Sequence, residues 1–386
     1  MKVMLVAAEA SGDALGGGLA AALRAREPGI ALVGVGGPRM AEQGIVSPFD
    51  IAELSVLGWL EGLRAYGRVK ARVADTVAMA LRERPDAVVL IDSWGFTIRV
   101  ARAIRAVLPD VKLIKYVGPQ VWASRPGRAK TLAAAVDHLL ALYAFDAPWF
   151  EAEGLPTTVV GSQALHIDMG GADPAAFRSA RGIAPDAPLL LILPGSRPGE
   201  IRLMTHVYEQ AAARLKAGRP DLQIAVVAAG TVAADVTARV AAWPFRAHLV
   251  TEADKYAAMK AATVALATSG TVSTELALAG VPMVIGYRFA PVSYALMKPF
   301  FTGKYATLFN HAADAEIARE LIQAEATPER FVAELSRLLD DPAVRADQSA
   351  RQTAALDLIG REGRDPSEIA SDAVLHLIDA RPGLRL

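Results

Sequence analysis

Short apolar, β-prone runs alternate with longer Ala/Leu/Arg-rich helical patterns through most of this chain, and that alternation leaves few folds open. Strands separated by helix-length crossovers pair in parallel, with helices covering the faces of the sheet. One series of runs lies at residues 2–8, 31–35, 87–91, 112–116, 137–141 and 157–160. A second lies at 189–193, 223–228, 248–251, 263–267 and 283–286. The series restarts after a polar, Gly/Asp/Pro-bearing connection at 162–188, which is the expected hinge. The fold class is therefore α/β, with a parallel-sheet domain over 1–165 and another over 166–345. A helical tail over 346–386 could pack back on either domain, and is assigned here to the N-terminal one.

Composition bounds the function. A chain of 386 residues, 53% hydrophobic, can bury two cores of ordinary size. Its 41 basic and 41 acidic side chains cancel, so no global field attracts a polyanion, and nucleic acid is not an expected partner. The absence of cysteine excludes disulfides, thiolate metal sites and cysteine nucleophiles, and fits a reducing, cytoplasmic setting. The first apolar run breaks at Glu9 and enters Ser11-Gly12-Asp13, so it reads as a strand and not as a signal peptide. No apolar stretch approaches the roughly 20 residues needed to span a bilayer, which points to a soluble or peripheral protein.

Open parallel sheets bind ligands at the carboxyl ends of their strands, so the residues that follow each run carry the chemistry. After 189–193 comes Pro194-Gly195-Ser196-Arg197, which offers N–H groups, a hydroxyl and a guanidinium to an anion at a helix N-terminus. After 263–267 comes Ser269-Gly270-Thr271, with Glu275 one helical turn on. After the first run comes Glu9-Ala10-Ser11-Gly12-Asp13, then Gly16-Gly17-Gly18, in a small-residue loop that opens a helix near Leu15. That loop lacks the Gly-x-Gly-x-x-Gly spacing, so a dinucleotide redox enzyme is not supported. The bland alternatives stay open here: a tight turn for the glycines, a first-turn acid for Glu275, a surface ion pair for Arg197. Glu9 and Asp13 are carboxylates beside a ligand-binding edge, where a proton acceptor is useful.

Taken in order, several blocks resemble the lipid-A-disaccharide synthase family. They are Ala8-Glu9-Ala10-Ser11-Gly12-Asp13, Gly34-Val35-Gly36-Gly37-Pro38-Arg39-Met40, Leu54-Ser55-Val56-Leu57-Gly58 and Tyr116-Val117-Gly118-Pro119-Gln120-Val121-Trp122-Ala123. Leu193-Pro194-Gly195-Ser196-Arg197, Ser269-Gly270-Thr271 with Glu275, and Pro282-Met283-Val284 follow. The resemblance implies a GT-B glycosyltransferase with two Rossmann-like domains facing across a cleft. It would move diacylglucosamine from UDP-2,3-diacylglucosamine to lipid X, 2,3-diacylglucosamine 1-phosphate. The products would be the β-1,6-linked disaccharide and UDP, formed with inversion and without a metal or other cofactor. The implied setting is peripheral, on the anionic inner face of the inner membrane, and a homodimer is a partner state found in the family.

On this resemblance Gly195, Ser196, Arg197, Ser269, Gly270, Thr271, Glu275 and Asn310 bind the donor in the C-terminal domain. The leaving diphosphate gains charge as the glycosidic bond breaks and needs preorganised donors, while Glu275 accepts from ribose hydroxyls. Ser11, Gly12, Gln120, Trp122, Arg125 and Arg128 lie on the acceptor side, with Arg125, Arg128 and Lys130 suited to the acceptor's phosphate. Trp122 equally suits a core position. A carboxylate base takes the proton of the attacking hydroxyl, and Asp92, Glu9 and Asp13 are the candidates.

The chain departs from the family at several of these places. Ile91-Asp92-Ser93-Trp94-Gly95-Phe96-Thr97 has Gly95 where a second aspartate is usual. Gly161-Ser162-Gln163 stands in place of Gly-His-Pro, Ala315 in place of an arginine, and Gly118 and Ser124 in place of a serine and a tryptophan. A relative with a changed acceptor or no transfer activity is therefore the alternative. A UDP-sugar epimerase would need a carboxylate pair and a histidine near the donor, and only His206 and His248 offer themselves in the C-terminal half. For the acyl chains, residues 55–73 offer an apolar set (Val56, Trp59, Leu60, Leu63, Tyr66, Val69) beside Arg64, Arg68 and Arg72. A core-facing helix with a basic outer face fits the same pattern.

Overall fold

The computed structural model describes residues 1–54, 62–228, 230–291, 294, 295, 298, 303–361 and 363–379. The chain divides into two compact units, one of Met1–Gln163 with Glu362–Leu386 and the other of Ala164–Arg361.

In the first unit six strands, β1 (Lys2–Ala7), β2 (Ala31–Val35), β3 (Ala87–Ile91), β4 (Lys112–Tyr116), β5 (His138–Ala141) and β6 (Thr157–Val159), form one sheet in the order β2-β1-β3-β4-β5-β6. All its pairings are parallel. β3 is buried along its whole length, as a central strand covered on both faces must be. Val6, Val35, Leu90 and Leu113 belong to one face's core, and Leu5, Ile91, Tyr116 and Leu140 to the other's.

The second unit holds β7 (Leu189–Leu193), β8 (Gln223–Val227), β9 (His248–Val250), β10 (Val264–Thr268), β11 (Met283–Tyr287) and β12 (Arg319–Ile322), in the order β12-β11-β10-β7-β8-β9. These strands are also all parallel. Numbered within the unit, this is the 3-2-1-4-5-6 order of a doubly wound Rossmann sheet read from the β9 edge. Eleven of the twelve strands fall on the apolar runs of the sequence. The twelfth, Arg319-Glu320-Leu321-Ile322, carries two charges and lies at the sheet edge, so it has no apolar run to mark it.

Two helical details differ from expectation. The helix after β1 starts at Ala10, not near Leu15, and runs to Arg26, so Gly16, Gly17 and Gly18 lie inside it and not in a turn. A Cβ on Gly16 would stand 2.6 Å from Met40 Sδ, one on Gly17 3.0 Å from the Arg39 carbonyl, and one on Gly18 2.8 Å from Ser367 Oγ. Their missing side chains let neighbouring segments close on this helix. The C-terminal segment is shared: helix Pro342–Leu358 lies in the second unit, and helix Pro366–Asp379 returns to pack on Ala10–Arg26.

The proposed acyl-contact segment falls partly outside the described residues: 55–61, and the side chains of 62–66, including Leu63, Arg64 and Tyr66. In the described part of helix Gly62–Glu83, Val69 and Val73 pack against the core. Arg72 is held by Glu53 at 2.9 Å and Asp75 at 2.6 Å, while Arg68 is exposed. No helix of the described residues is long and apolar enough to cross a membrane.

Candidate functional site

Each sheet has a point where consecutive crossovers leave toward opposite sides, and a crevice opens there at the strand ends. In the second unit it lies between β7 and β10, adjacent in space though β8 and β9 intervene in sequence. A pocket of about 500 Å³ occupies it, within the range of small-molecule sites. Gly195, Ser196, Arg197 and Glu200 line it from β7, Ser269, Gly270, Thr271 and Glu275 from β10, and Glu252 and Lys255 from the segment after β9.

The two helix N-termini at this pocket are not equivalent. Helix Thr271–Leu278 begins at Gly270 without a side-chain cap, and among the described residues no acceptor meets the N–H groups of Thr271 and Val272. These N–H groups and the positive end of the helix dipole suit an anion. Helix Pro198–Gly218 is already served from within. The Ser196 and Arg197 N–H groups donate to Glu200 Oε2 at 2.9 and 3.2 Å, and the Arg197 guanidinium reaches Glu200 Oε1 at 3.3 Å. Gly195, at φ +124°, makes this possible, since a Cβ there would stand 2.6 Å from that carboxylate. The expected backbone anion seat at Gly195-Ser196-Arg197 is thus corrected: an internal carboxylate fills it. The Ser196 hydroxyl and the Arg197 side chain, 77% exposed, remain open to a ligand.

Glu275 stands in the pocket wall with its side chain only 12% exposed and pairs with Lys255, whose Nζ lies 3.1 Å from Oε2. Asn310 does not join this set. It is fully buried, its amide donates to Ala318 O and Glu320 Oε1, and its oxygen accepts from Ile317 and Ala318 N–H. Its side chain is committed to fastening the short helix Leu308–Ala312 to β12 and the residues just before it, which corrects the expectation of donor contact.

In the first unit the corresponding point lies between β1 and β3. Glu9 and Ser11 follow β1, and Asp92 and Ser93 follow β3. Ser93 Oγ donates to Glu9 Oε1 at 2.7 Å and Ser11 Oγ to Asp92 Oδ2 at 3.3 Å, so two carboxylates and two hydroxyls are gathered at one strand edge. Asp92 and Ser93 both adopt left-handed backbone, φ 48° and 40°, which costs energy in residues other than glycine and recurs where side chains are aimed for function. Beneath them the Asp92 carbonyl accepts from Thr97 Oγ1 at 2.8 Å and from Lys115 Nζ. Lys115 is buried in β4, and burial lowers its pKa to about 7 against the opposing pull of Asp92.

Asp13 has another task. It is 2% exposed and accepts from the N–H groups of Gly37, Arg39 and Met40 at 2.7, 2.9 and 3.1 Å, capping helix Pro38–Glu42. Three of its roughly four lone-pair sites are taken by this cap, which corrects its place among the proton acceptors. Gly12 is buried beneath Ser11, and Gly95 is exposed. Trp122 is buried and its indole N–H donates to Asp146 at 2.9 Å, so the core reading holds for it. Burial raises the Asp146 pKa to about 7, with the Trp122 hydrogen bond opposing. Gln120, Arg125 and Lys130 are exposed. The Arg128 guanidinium lies over the Trp94 ring at 5.3 Å, and burial followed by repulsion from Arg125 lowers its pKa, so the two guanidiniums together suit an anion.

Sequence reading did not single out Glu200, Glu252 or Lys255. Glu200 had a signal, proline at the first helical position and glutamate at the third. Lys255 had only its three-residue spacing from Glu252, because its partner in the pocket wall, Glu275, lies 20 residues away on another helix. Among the described residues no three His, Asp or Glu side chains cluster as metal ligands would.

A family model described as lipid-A-disaccharide synthetase matches residues 3–374. A lipid-A-disaccharide synthase of Rhodospirillum centenum is 43% identical over 381 residues, covering 98% of this chain and 95% of that protein. Among solved structures, a UDP-GlcNAc 2-epimerase from Neisseria meningitidis bound to UDP-GlcNAc superposes with a TM-score of 0.61 at 12% identity, covering 99% of this chain and 100% of that one. The spinosyn rhamnosyltransferase SpnG gives 0.56 at 13% identity, covering 97% and 100%. These structural likenesses establish the GT-B architecture.

Proposed function

On the premise that the chain belongs to the lipid-A-disaccharide synthase family and is a lipid A disaccharide-forming glycosyltransferase, we propose that its donor is UDP-2,3-diacylglucosamine and its acceptor lipid X. The 6-hydroxyl of lipid X attacks the anomeric carbon of the donor as the bond to UDP breaks. The C–O bond forms with inversion, the hydroxyl proton passes to a carboxylate, and UDP leaves with the bonding pair.

The observation that carries this reading is the pocket between β7 and β10, where a free helix N-terminus and a sheltered carboxylate share one wall. A diphosphate suits the N–H groups of Thr271 and Val272, with Ser196, Ser269 and Arg197 around it, and a ribose diol suits Glu275. In the first unit Asp92 and Glu9 are the bases that geometry favours, since each accepts only one hydroxyl among the described side chains. Arg125 and Arg128 suit the acceptor phosphate. Acylated substrates fit a protein working peripherally at the anionic inner face of the inner membrane, and exposed Arg68 and Lys70 support this.

The test is turnover of the purified protein with both lipids in detergent micelles, with UDP and disaccharide measured separately. Both are expected in equal amounts. Asp92→Asn should lower turnover roughly 10²-fold or more with UDP affinity unchanged. UDP bound without product would reject lipid X as acceptor and favour a relative of altered activity.

A further inference from the structure

Lys255 begins the helix Lys255–Ala261 after β9, while Glu275 lies on helix Thr271–Leu278 after β10, and both line the nucleotide pocket. The Lys255 side chain is only 12% exposed. Its Nζ lies 2.7 Å from Glu252 Oε1 and 3.1 Å from Glu275 Oε2, and donates to Glu275 Oε1 at 3.3 Å. Glu275 Oε2 is buried and, despite that proximity, lies outside hydrogen-bonding geometry, so one acceptor oxygen of the carboxylate has no donor among the described residues. Ion-paired with Lys255 yet without a hydrogen-bond donor, Oε2 keeps an acceptor site that a ligand hydroxyl would fill.

Resting on the donor-pocket reading above, we propose that Lys255 is the positioning residue for ribose recognition: it holds the Glu275 carboxylate so that Oε2, which accepts no hydrogen bond among the described residues, meets the sugar diol. The chemistry explains the division of labour. An ammonium aimed at the diphosphate would add affinity for any nucleoside diphosphate. One clamped between Glu252 and Glu275 is neutralised locally, and it fixes the direction of the carboxylate instead. Burial draws the Lys255 pKa down, but hydrogen bonds and charge from Glu252 and Glu275 outweigh it, and the net direction is upward, so the clamp stays charged at neutral pH. A neutral Glu275 partner, or none, would let the carboxylate turn within the pocket and lose its discrimination for hydroxyls.

The experiment is calorimetric titration of UDP and 2′-deoxy-UDP into the full-length protein, Lys255→Met, Lys255→Arg, Glu275→Gln and the Lys255→Met/Glu275→Gln double variant. The unsubstituted protein should prefer UDP by roughly ten-fold, as expected for one hydrogen bond to a charged acceptor. Lys255→Met and Glu275→Gln should each lose most of that preference, and the double variant should lose no more than either alone. Lys255→Arg, which keeps the charge on a different fork, should lose part of it and decides the matter should the methionine variant not fold. A Lys255→Met protein that weakens both nucleotides equally and keeps the ratio would overturn the proposal, since the lysine would then be acting on the diphosphate. UDP affinity unaffected by Glu275→Gln would overturn the donor-pocket reading itself.

Discussion

Two buried side chains of the first unit, Asp146 and Lys115, have pKa values displaced in opposite senses to about 7. Folding favours protonated Asp146, so between the ordinary carboxylate range and pH 7 the native state holds the extra proton and stability falls as pH rises. Folding favours neutral Lys115, so between pH 7 and the ordinary lysine range the unfolded state holds the extra proton and stability rises with pH. The first unit should therefore pass through a stability minimum near pH 7. Denaturant melts across pH 5–9 check this: Asp146→Asn should flatten the acid limb and Lys115→Met the basic one. A monotonic profile in the unsubstituted protein would refute the pair. Neither group was legible in the sequence, where Asp146 sits in an ordinary Phe-Asp-Ala stretch and Lys115 interrupts an apolar run. Their displacement comes from burial, which periodicity alone does not report.

At the scale of elements, the helix Pro198–Gly218 carries a testable consequence of its internal anion. The Glu200 carboxylate takes the Ser196 and Arg197 N–H groups and adds a negative charge to the pocket wall. Glu200→Gln keeps an acceptor for the helix end and removes the charge. UDP should then bind tighter, by roughly 3- to 10-fold, with little change in thermal stability. Weaker binding would mean that Glu200 serves the site by shaping the 195–197 loop. The strands and their ends were read well from sequence because a strand buried on both faces is a continuous apolar run, and the chain needs small or polar residues where it leaves the sheet. What escaped were pairings between segments distant in sequence. Asp13 reads like a base until Gly37, Arg39 and Met40 are seen to donate to it, and Asn310 reads like a ligand contact until Glu320 on the charged edge strand claims it.

At the scale of the whole molecule, the first unit is assembled from both ends of the chain. Ala370, Val374 and Ile378 of the last helix are buried with Leu19, Leu23 and Val89. Arg26 reaches Ser371 at 3.0 Å and Asp372 at 2.8 Å. Val374→Ala should remove about 2 kcal/mol from this contact. Hydrogen exchange would read it as lost protection in β1–β6 with β7–β12 unchanged, and equal loss in both sheets would contradict the division into units. This arrangement also fixes an order of assembly during synthesis. The second unit is one continuous stretch and has its full sequence before the first does, so the usual priority of N-terminal over C-terminal domains is reversed. Until the last helix emerges from the ribosome, the earliest-made sheet waits with one flank open. Loss of the helix Pro366–Asp379 would spare the pocket between β7 and β10 and cost the sheet β1–β6 its support.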